Sequence, residues 1–169
     1  MIRPLRRDDL AAVLEIINLA AQAYKGVIPA DCWREPYMPE AELRAEIAAG
    51  VDFAACAGEK GLLGVMGRQN LGEVTLIRHA YVHPGAQRQG VGARLLTYLM
   101  DNTPGPVLVG TWAAAWWAIR FYEKHGFRLV TPETKDRLLR TYWTIATRQV
   151  ETSVVLADPQ WFALTNQAE

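Results

Sequence analysis

Residues 81–96 read Tyr81-Val82-His83-Pro84-Gly85-Ala86-Gln87-Arg88-Gln89-Gly90-Val91-Gly92-Ala93-Arg94-Leu95-Leu96, where a strand pattern turns into a helical one across two glycines. The first N–H groups of a helix have no intrahelical partner and point past its N-terminus. Gly90 and Gly92 have no side chain to hold a ligand away from those groups. The spacing predicts an anion cradle over residues 87–93, helped by the positive end of the helix. Charge agrees with this reading. Between Glu73 and Asp101 lie Arg78, Arg88 and Arg94 but no carboxylate, in a chain whose 18 Lys plus Arg balance 18 Asp plus Glu. A phosphate-rich ligand suits such a locally positive segment. A P-loop would need Gly-Lys followed by Ser or Thr, which is absent here. The dinucleotide fingerprint wants a third glycine where Leu95 stands.

The second stretch that could do chemistry is Ala118-Ile119-Arg120-Phe121-Tyr122-Glu123-Lys124-His125-Gly126-Phe127. Phe121 and Phe127 are expected core anchors on either side of Gly126, a left-handed helix cap. Tyr122 offers either a packed ring with a wet hydroxyl or a phenol able to give a proton to a leaving group.

Together the two stretches resemble the GCN5-related N-acetyltransferase (GNAT) superfamily. Gln87-Arg88-Gln89-Gly90-Val91-Gly92 matches the family's acetyl-CoA turn, preceded by Val82-His83-Pro84, and residues 118–127 match its later motif. One element departs: the family's frequent Asn falls on Ala115, which removes a side-chain hydrogen bond near the pantetheine arm. The resemblance covers most of residues 2–156. It implies an α/β GNAT fold with a central mixed, mostly antiparallel sheet of about seven strands, splayed at strands 4 and 5, and helices on both faces. It also implies acetyl-CoA as cosubstrate with no metal. Backbone groups of Tyr81 and Val82 would hold the pantetheine arm, and Gln87, Arg88, Gln89, Gly90, Val91, Gly92 and Ala93 the pyrophosphate.

By the same likeness, a neutral primary amine attacks the thioester directly and Tyr122 protonates the departing thiolate. Relatives use a Glu or His near the strand before the turn as base. Here Glu73, working through water, and His79 are the candidates, or no dedicated side chain serves. In a regular strand Glu73, His79 and His83 share one face and Arg78 and Ala80 the other, and a bulge would reverse that parity beyond it. His125 suits the last turn of its helix.

The aromatic residues bear on the acceptor. Trp112, Trp116 and Trp117 cluster where a strand passes into a helix, and Trp116 stands four residues before Arg120, the spacing of a stacked pair. Trp33, Tyr37, Tyr142 and Trp143 either border the acceptor site or pack. As a group they favour a small-molecule amine with an apolar body. Peptide or protein N-terminal acetylation, or a non-catalytic CoA-binding regulatory domain, are the alternatives. Asp31 and Glu35 are weak candidates for meeting an ammonium.

The elements that position these groups follow from periodicity. Strands are expected over residues 2–6, 51–57, 62–68, 74–83, 107–111, 127–130 and 149–156, and helices from about 10 to 24 and over 40–49, 91–100, 113–125 and 135–142. In the second helix Leu43 and Ile47 form the expected apolar face. A single acetyltransferase domain over residues 1–157 is expected, with a tail over 158–169. Trp161 and Phe162 in that tail are expected to pack on the domain or against a second subunit, which would make a homodimer. Half the residues are hydrophobic and 21% are charged, a balance that favours a folded chain over a disordered one. Zero net charge argues against nucleic-acid or polybasic membrane binding. With no apolar signal core behind Met1 and no long apolar run, a cytoplasmic protein with reduced Cys32 and Cys56 is expected.

Overall fold

The computed structural model describes residues 1–165. Seven strands run in chain order as β1 (Ile2–Pro4), β2 (Asp52–Gly58), β3 (Gly61–Asn70), β4 (Thr75–Val82), β5 (Val107–Trp112), β6 (Arg128–Leu129) and β7 (Ser153–Ala157). The α-helices are α1 (Leu10–Ala21), α2 (Glu40–Ala48), α3 (Val91–Asp101), α4 (Trp116–Lys124), α5 (Pro132–Tyr142), α6 (Thr147–Glu151) and α7 (Pro159–Thr165). The strands form one mixed sheet in the order β1-β2-β3-β4-β5-β7-β6. Its β1–β2, β2–β3, β5–β7 and β6–β7 pairings are antiparallel.

The chain divides into two compact units, and β4 contributes Thr75 and Leu76 to one and its remaining residues to the other. The first unit comprises Met1–Ala23, Arg34–Asn70 and Ile77–Pro104. Its core joins Val13, Ile16 and Ile17 of α1 and Leu43 of α2 to Phe53 and Ala55 of β2 and Val65 of β3. Alternation along β3 sends the neighbouring Gly64 to the opposite face, where α3 lies. A Cβ on Gly64 would come within 2.8 Å of Val91 Cγ1 and 3.1 Å of the Tyr81 carbonyl. Only a residue without a side chain lets α3 sit this close. In α2 the buried partner of Leu43 is not Ile47, which is 38% exposed. Glu46, three residues after Leu43, turns inward instead.

The second unit comprises Tyr24–Trp33, Leu71–Leu76 and the chain from Gly105. Val74, Leu76, Leu108, Leu138, Leu139, Val150, Val155, Trp161 and Phe162 form its core. Here Thr75 N–H donates to the Pro106 carbonyl at 3.0 Å, just before β5. α5 starts three residues earlier than periodicity predicts. Pro132 opens it, and the Thr131 side chain accepts the Thr134 N–H, so an ordinary cap extends it. The strand expected over residues 149–156 begins only at Ser153. The Gln149 and Val150 N–H groups instead close a helical turn on the Ala146 carbonyl, at 2.9 and 3.1 Å. Lys135 Nζ donates to the Val150 carbonyl at 2.9 Å and ties that turn to α5.

The tail forms α7. The buried Asp158 carboxylate accepts the Trp161 N–H at 3.0 Å, and burial pushes that carboxyl up from its ordinary range. Trp161 and Phe162 pack edge to face in the core of their own chain, and the Arg128 guanidinium lies 4.0 Å from the Phe162 ring centroid. Of the expected tail, residues 166–169 lie outside the described residues. Truncating Trp161 to Ala would empty a large buried site. Urea denaturation of Trp161→Ala is expected to show a loss of about 3–5 kcal/mol, and a loss below 1 kcal/mol would show that α7 is not part of the core.

Candidate active site

The predicted cradle is a turn with two residues in the left-handed region. A short 3-10 turn at Pro84–Ala86 follows β4, with His83 Nδ1 accepting the Gly85 N–H at 3.0 Å. Arg88 then takes φ +65° and Gly90 φ +75° before α3 begins. The first N–H bonded into the helix is that of Arg94, at 3.0 Å from the Gly90 carbonyl. The amides of Val91, Gly92 and Ala93 therefore precede the helical ladder. Gln87, Arg88, Gln89 and Gly90 are exposed, and a Cβ on Gly90 would meet nothing within 4 Å. Gly90 is thus required by its backbone angle, in a turn that is open to a ligand. Arg88 holds its angle without that freedom, at a cost of about 1–2 kcal/mol. Unpaired amides at a helix N-terminus, an open approach and a basic side chain suit a diphosphate.

The end of β4 supplies backbone groups next to this turn. His83 N–H donates to the Leu63 carbonyl of β3 at 2.8 Å. Polar backbone groups alternate along a strand, so the N–H and C=O of Val82 and Ala80 face the edge turned away from β3. The Tyr81 carbonyl faces β3, beside Gly64. Of the two residues expected to hold a pantetheine arm through their backbone, Val82 turns its polar groups away from β3 and Tyr81 turns its carbonyl toward it.

His79 is the irregular residue of β4, with φ +54°. Regular alternation, which would have put Arg78 and His79 on opposite faces, does not hold. Both side chains reach Glu46, Arg78 through Nη1 at 3.1 Å and His79 through Nε2 at 3.2 Å. Arg78 Nη1 also donates to Gln69 Oε1 at 3.1 Å, and the imidazole stacks on Phe53 with centroids 6.1 Å apart. The His79 hydrogen bond, and then the Arg78 charge, hold the Glu46 carboxyl below its ordinary range against the opposing effect of burial. Sequence reasoning missed Glu46. Its one local signal was a carboxylate three residues after the buried Leu43, a position as well placed to face inward as the Ile47 chosen instead.

Tyr122 and Glu73 belong to the second unit. Tyr122 is buried edge to face between Phe121 and Phe127, at centroid distances of 5.0 and 5.6 Å. Burial, and secondarily the neighbouring Tyr24, push its phenol well above the ordinary tyrosine range. Tyr24 stacks on Trp117 at 5.9 Å. Trp116 stays 59% exposed, with the Arg120 guanidinium 5.2 Å from its centroid, as the spacing predicted. Ala115, where the family's Asn is expected, is fully buried at the N-cap of α4. Glu73 is exposed in the segment before β4 and accepts the Tyr142 hydroxyl at 2.7 Å. Trp143 lies against Gly110, and Asp31 is paired with Arg148 at 2.8 Å. Among the described residues no cluster of His, Cys, Asp or Glu could hold a metal, and no helix is long and apolar enough to cross a membrane.

Comparison with known proteins places this geometry among acetyltransferases. Residues 18–142 match the family model described as an acetyltransferase (GNAT) domain. The chain is similar to the peptidyl-lysine N-acetyltransferase YiaC of Escherichia coli, with 26% identity over 154 residues, covering 90% of this chain and 99% of that protein. In fold it resembles the PaiA N-acetyltransferase of Thermoplasma acidophilum, solved in complex with coenzyme A, at a TM-score of 0.70 and 17% identity over 94% of this chain and 97% of that one. It also resembles the ribosomal-protein-S18-alanine N-acetyltransferase of Escherichia coli, at a TM-score of 0.64 and 19% identity over 95% and 93% of the two chains.

The contact of Val91 with Gly64 generates a prediction about the cradle. Gly64→Ala forces α3 outward, and is expected to cost about 1–3 kcal/mol of stability and to weaken CoA binding measured by calorimetry. Combining it with Val91→Ala removes the nearest clashing methyl and should recover part of both. Unchanged CoA affinity in Gly64→Ala would show that the seat of α3 does not govern the turn.

Proposed function

The chain belongs to the GNAT family of acetyl-CoA-dependent acetyltransferases, and on that premise we propose that it moves an acetyl group to a primary amine by direct transfer. The observation that carries this reading is the α3 N-terminus, where unpaired amides follow two left-handed residues in an exposed basic turn. The amides of residues 87–93 and Arg88 hold the pyrophosphate of acetyl-CoA, and the outward backbone groups of Ala80 and Val82 hold its pantetheine arm. A thioester is already activated, so the chain's task is alignment and the handling of protons.

His79 takes the proton that the amine loses as the new C–N bond forms. Tyr122 gives its hydroxyl proton to the sulfur as the C–S bond breaks. Burial keeps its phenol protonated until the thiolate appears. His79 is preferred to Glu73 as the base because the Glu73 carboxylate is engaged by the Tyr142 hydroxyl. The aromatic pair of Tyr24 and Trp117, with Tyr24 beside Tyr122, favours a small-molecule amine with an apolar body. A peptidyl amine is the second reading, supported by the names of YiaC and of the ribosomal-protein-alanine enzyme.

Thiol release from acetyl-CoA across a panel of small amines and of lysine-bearing and free N-terminal peptides tests both. Turnover confined to small apolar amines is the expected result, and turnover confined to peptides would replace the first reading with the second. Tyr122→Phe is expected to bind acetyl-CoA as the wild type does while turnover falls roughly tenfold to a thousandfold. An unaltered turnover number would exclude Tyr122 as the acid.

A further inference from the structure

Glu46 is a mostly buried carboxylate that the mechanism so far leaves without a task. Its side chain is 19% exposed on the last turn of α2, and it comes from an element that contributes nothing else to the chemistry. Its Oε2 lies 3.2 Å from His79 Nε2 and 3.1 Å from Arg78 Nη1, and its Oε1 lies 3.4 Å from Arg78 Nη2. Two consecutive strand residues can meet one carboxylate only if the strand breaks its alternation, and His79 does so by adopting φ +54°. A non-glycine residue held there costs about 1–2 kcal/mol. Such an angle persists where the surroundings over-determine it. Here they are the stacked Phe53 ring on one side and the carboxylate of α2 on the other.

We propose that Glu46 is the positioning residue of the catalytic base. The inference rests on His79 being that base. Ionised Glu46 accepts only, so the imidazole must carry its proton on Nε2, which leaves the Nδ1 lone pair to receive a proton. When the acceptor amine attacks, its proton passes to Nδ1, the C–N bond forms, and the resulting imidazolium stands against the Glu46 carboxylate. The charged groups facing the imidazole are Glu46 from α2 and Arg78 from β4, while β2 and β3 present the neutral Phe53 and Gln69. Arg78 keeps Glu46 ionised and divides its own guanidinium between that carboxylate and Gln69. A carboxylate behind an imidazole thus selects the tautomer and orients the ring, the division of labour seen when an acidic residue backs a histidine base.

Nitrogen-15 shifts of the wild-type imidazole, assigned by their absence in His79→Gln, report the tautomer directly. A protonated Nε2 with a bare Nδ1 is expected, and the opposite tautomer overturns the proposal. In Glu46→Gln, whose side-chain amide can donate as well as accept, the Nε2-protonated form of His79 is expected to lose its preference. The neutral-pH rate with the amine is expected to be about tenfold or more lower, with CoA affinity unchanged. The double variant Glu46→Gln with His79→Gln is expected to be no slower than His79→Gln alone. An unaltered tautomer in Glu46→Gln, or losses that multiply in the double variant, would overturn the assignment of Glu46. Absence of thiol release by the wild-type chain with every amine and peptide would instead overturn the acetyltransfer reading beneath it.

Discussion

The close seat of α3 on β3 governs the first unit. Val91, the first residue of α3, occupies the space that a side chain on Gly64 would fill. That contact brings the amides of Val91, Gly92 and Ala93 to the end of β4, where the chain has just left the sheet. The preceding turn must reverse direction within four residues, and the left-handed angles of Arg88 and Gly90 are how it does so. An anion site made of backbone groups has no side chains to re-aim it, so its position is only as good as the seat of the helix that carries it.

The same unit accepts a second irregularity, at His79. A strand that alternated throughout would have sent either Arg78 or His79 away from α2 and left the mostly buried Glu46 with one of these two partners instead of both. Breaking the ladder at one residue costs backbone free energy. In return a carboxylate, a guanidinium and an imidazole become mutually satisfied in a space mostly closed to water. Buried charges are tolerated when they are paired and hydrogen-bonded, and every member of this cluster has a partner.

In the second unit burial, more than charge, sets the ionisation of Tyr122. Tyr122 packs edge to face against Phe121 and Phe127, and burial disfavours its phenolate. At Tyr142 the phenol is half-buried and donates to the Glu73 carboxylate, and that hydrogen bond is the main cause that raises its pKa. The frame beneath them is completed by the tail. Asp158 caps α7 and directs Trp161 and Phe162 into the core that also holds Leu108 of β5 and Val155 of β7.

What could be read from the amino-acid order was whatever depends on near neighbours. The turn over residues 87–93, the cap at Gly126 with φ +90°, the stacking of Arg120 on Trp116 and the order of strands and helices all follow from spacings of a few residues. The periods of helix and strand and the tolerance of glycine for left-handed angles are local properties, so the sequence carries them openly. The start of α5 and the helical turn at α6 were missed although their cues were local, because β-branched residues such as Val150 fit either state. The pairing of Glu46 with His79 across 33 residues, of Glu73 with Tyr142 across 69 and of Asp31 with Arg148 across 117 had no local cue. Which charges meet depends on how packed helices and strands bring distant segments together, and on whether a strand keeps its alternation. Burial and sheet register decide those questions only once the whole chain has folded.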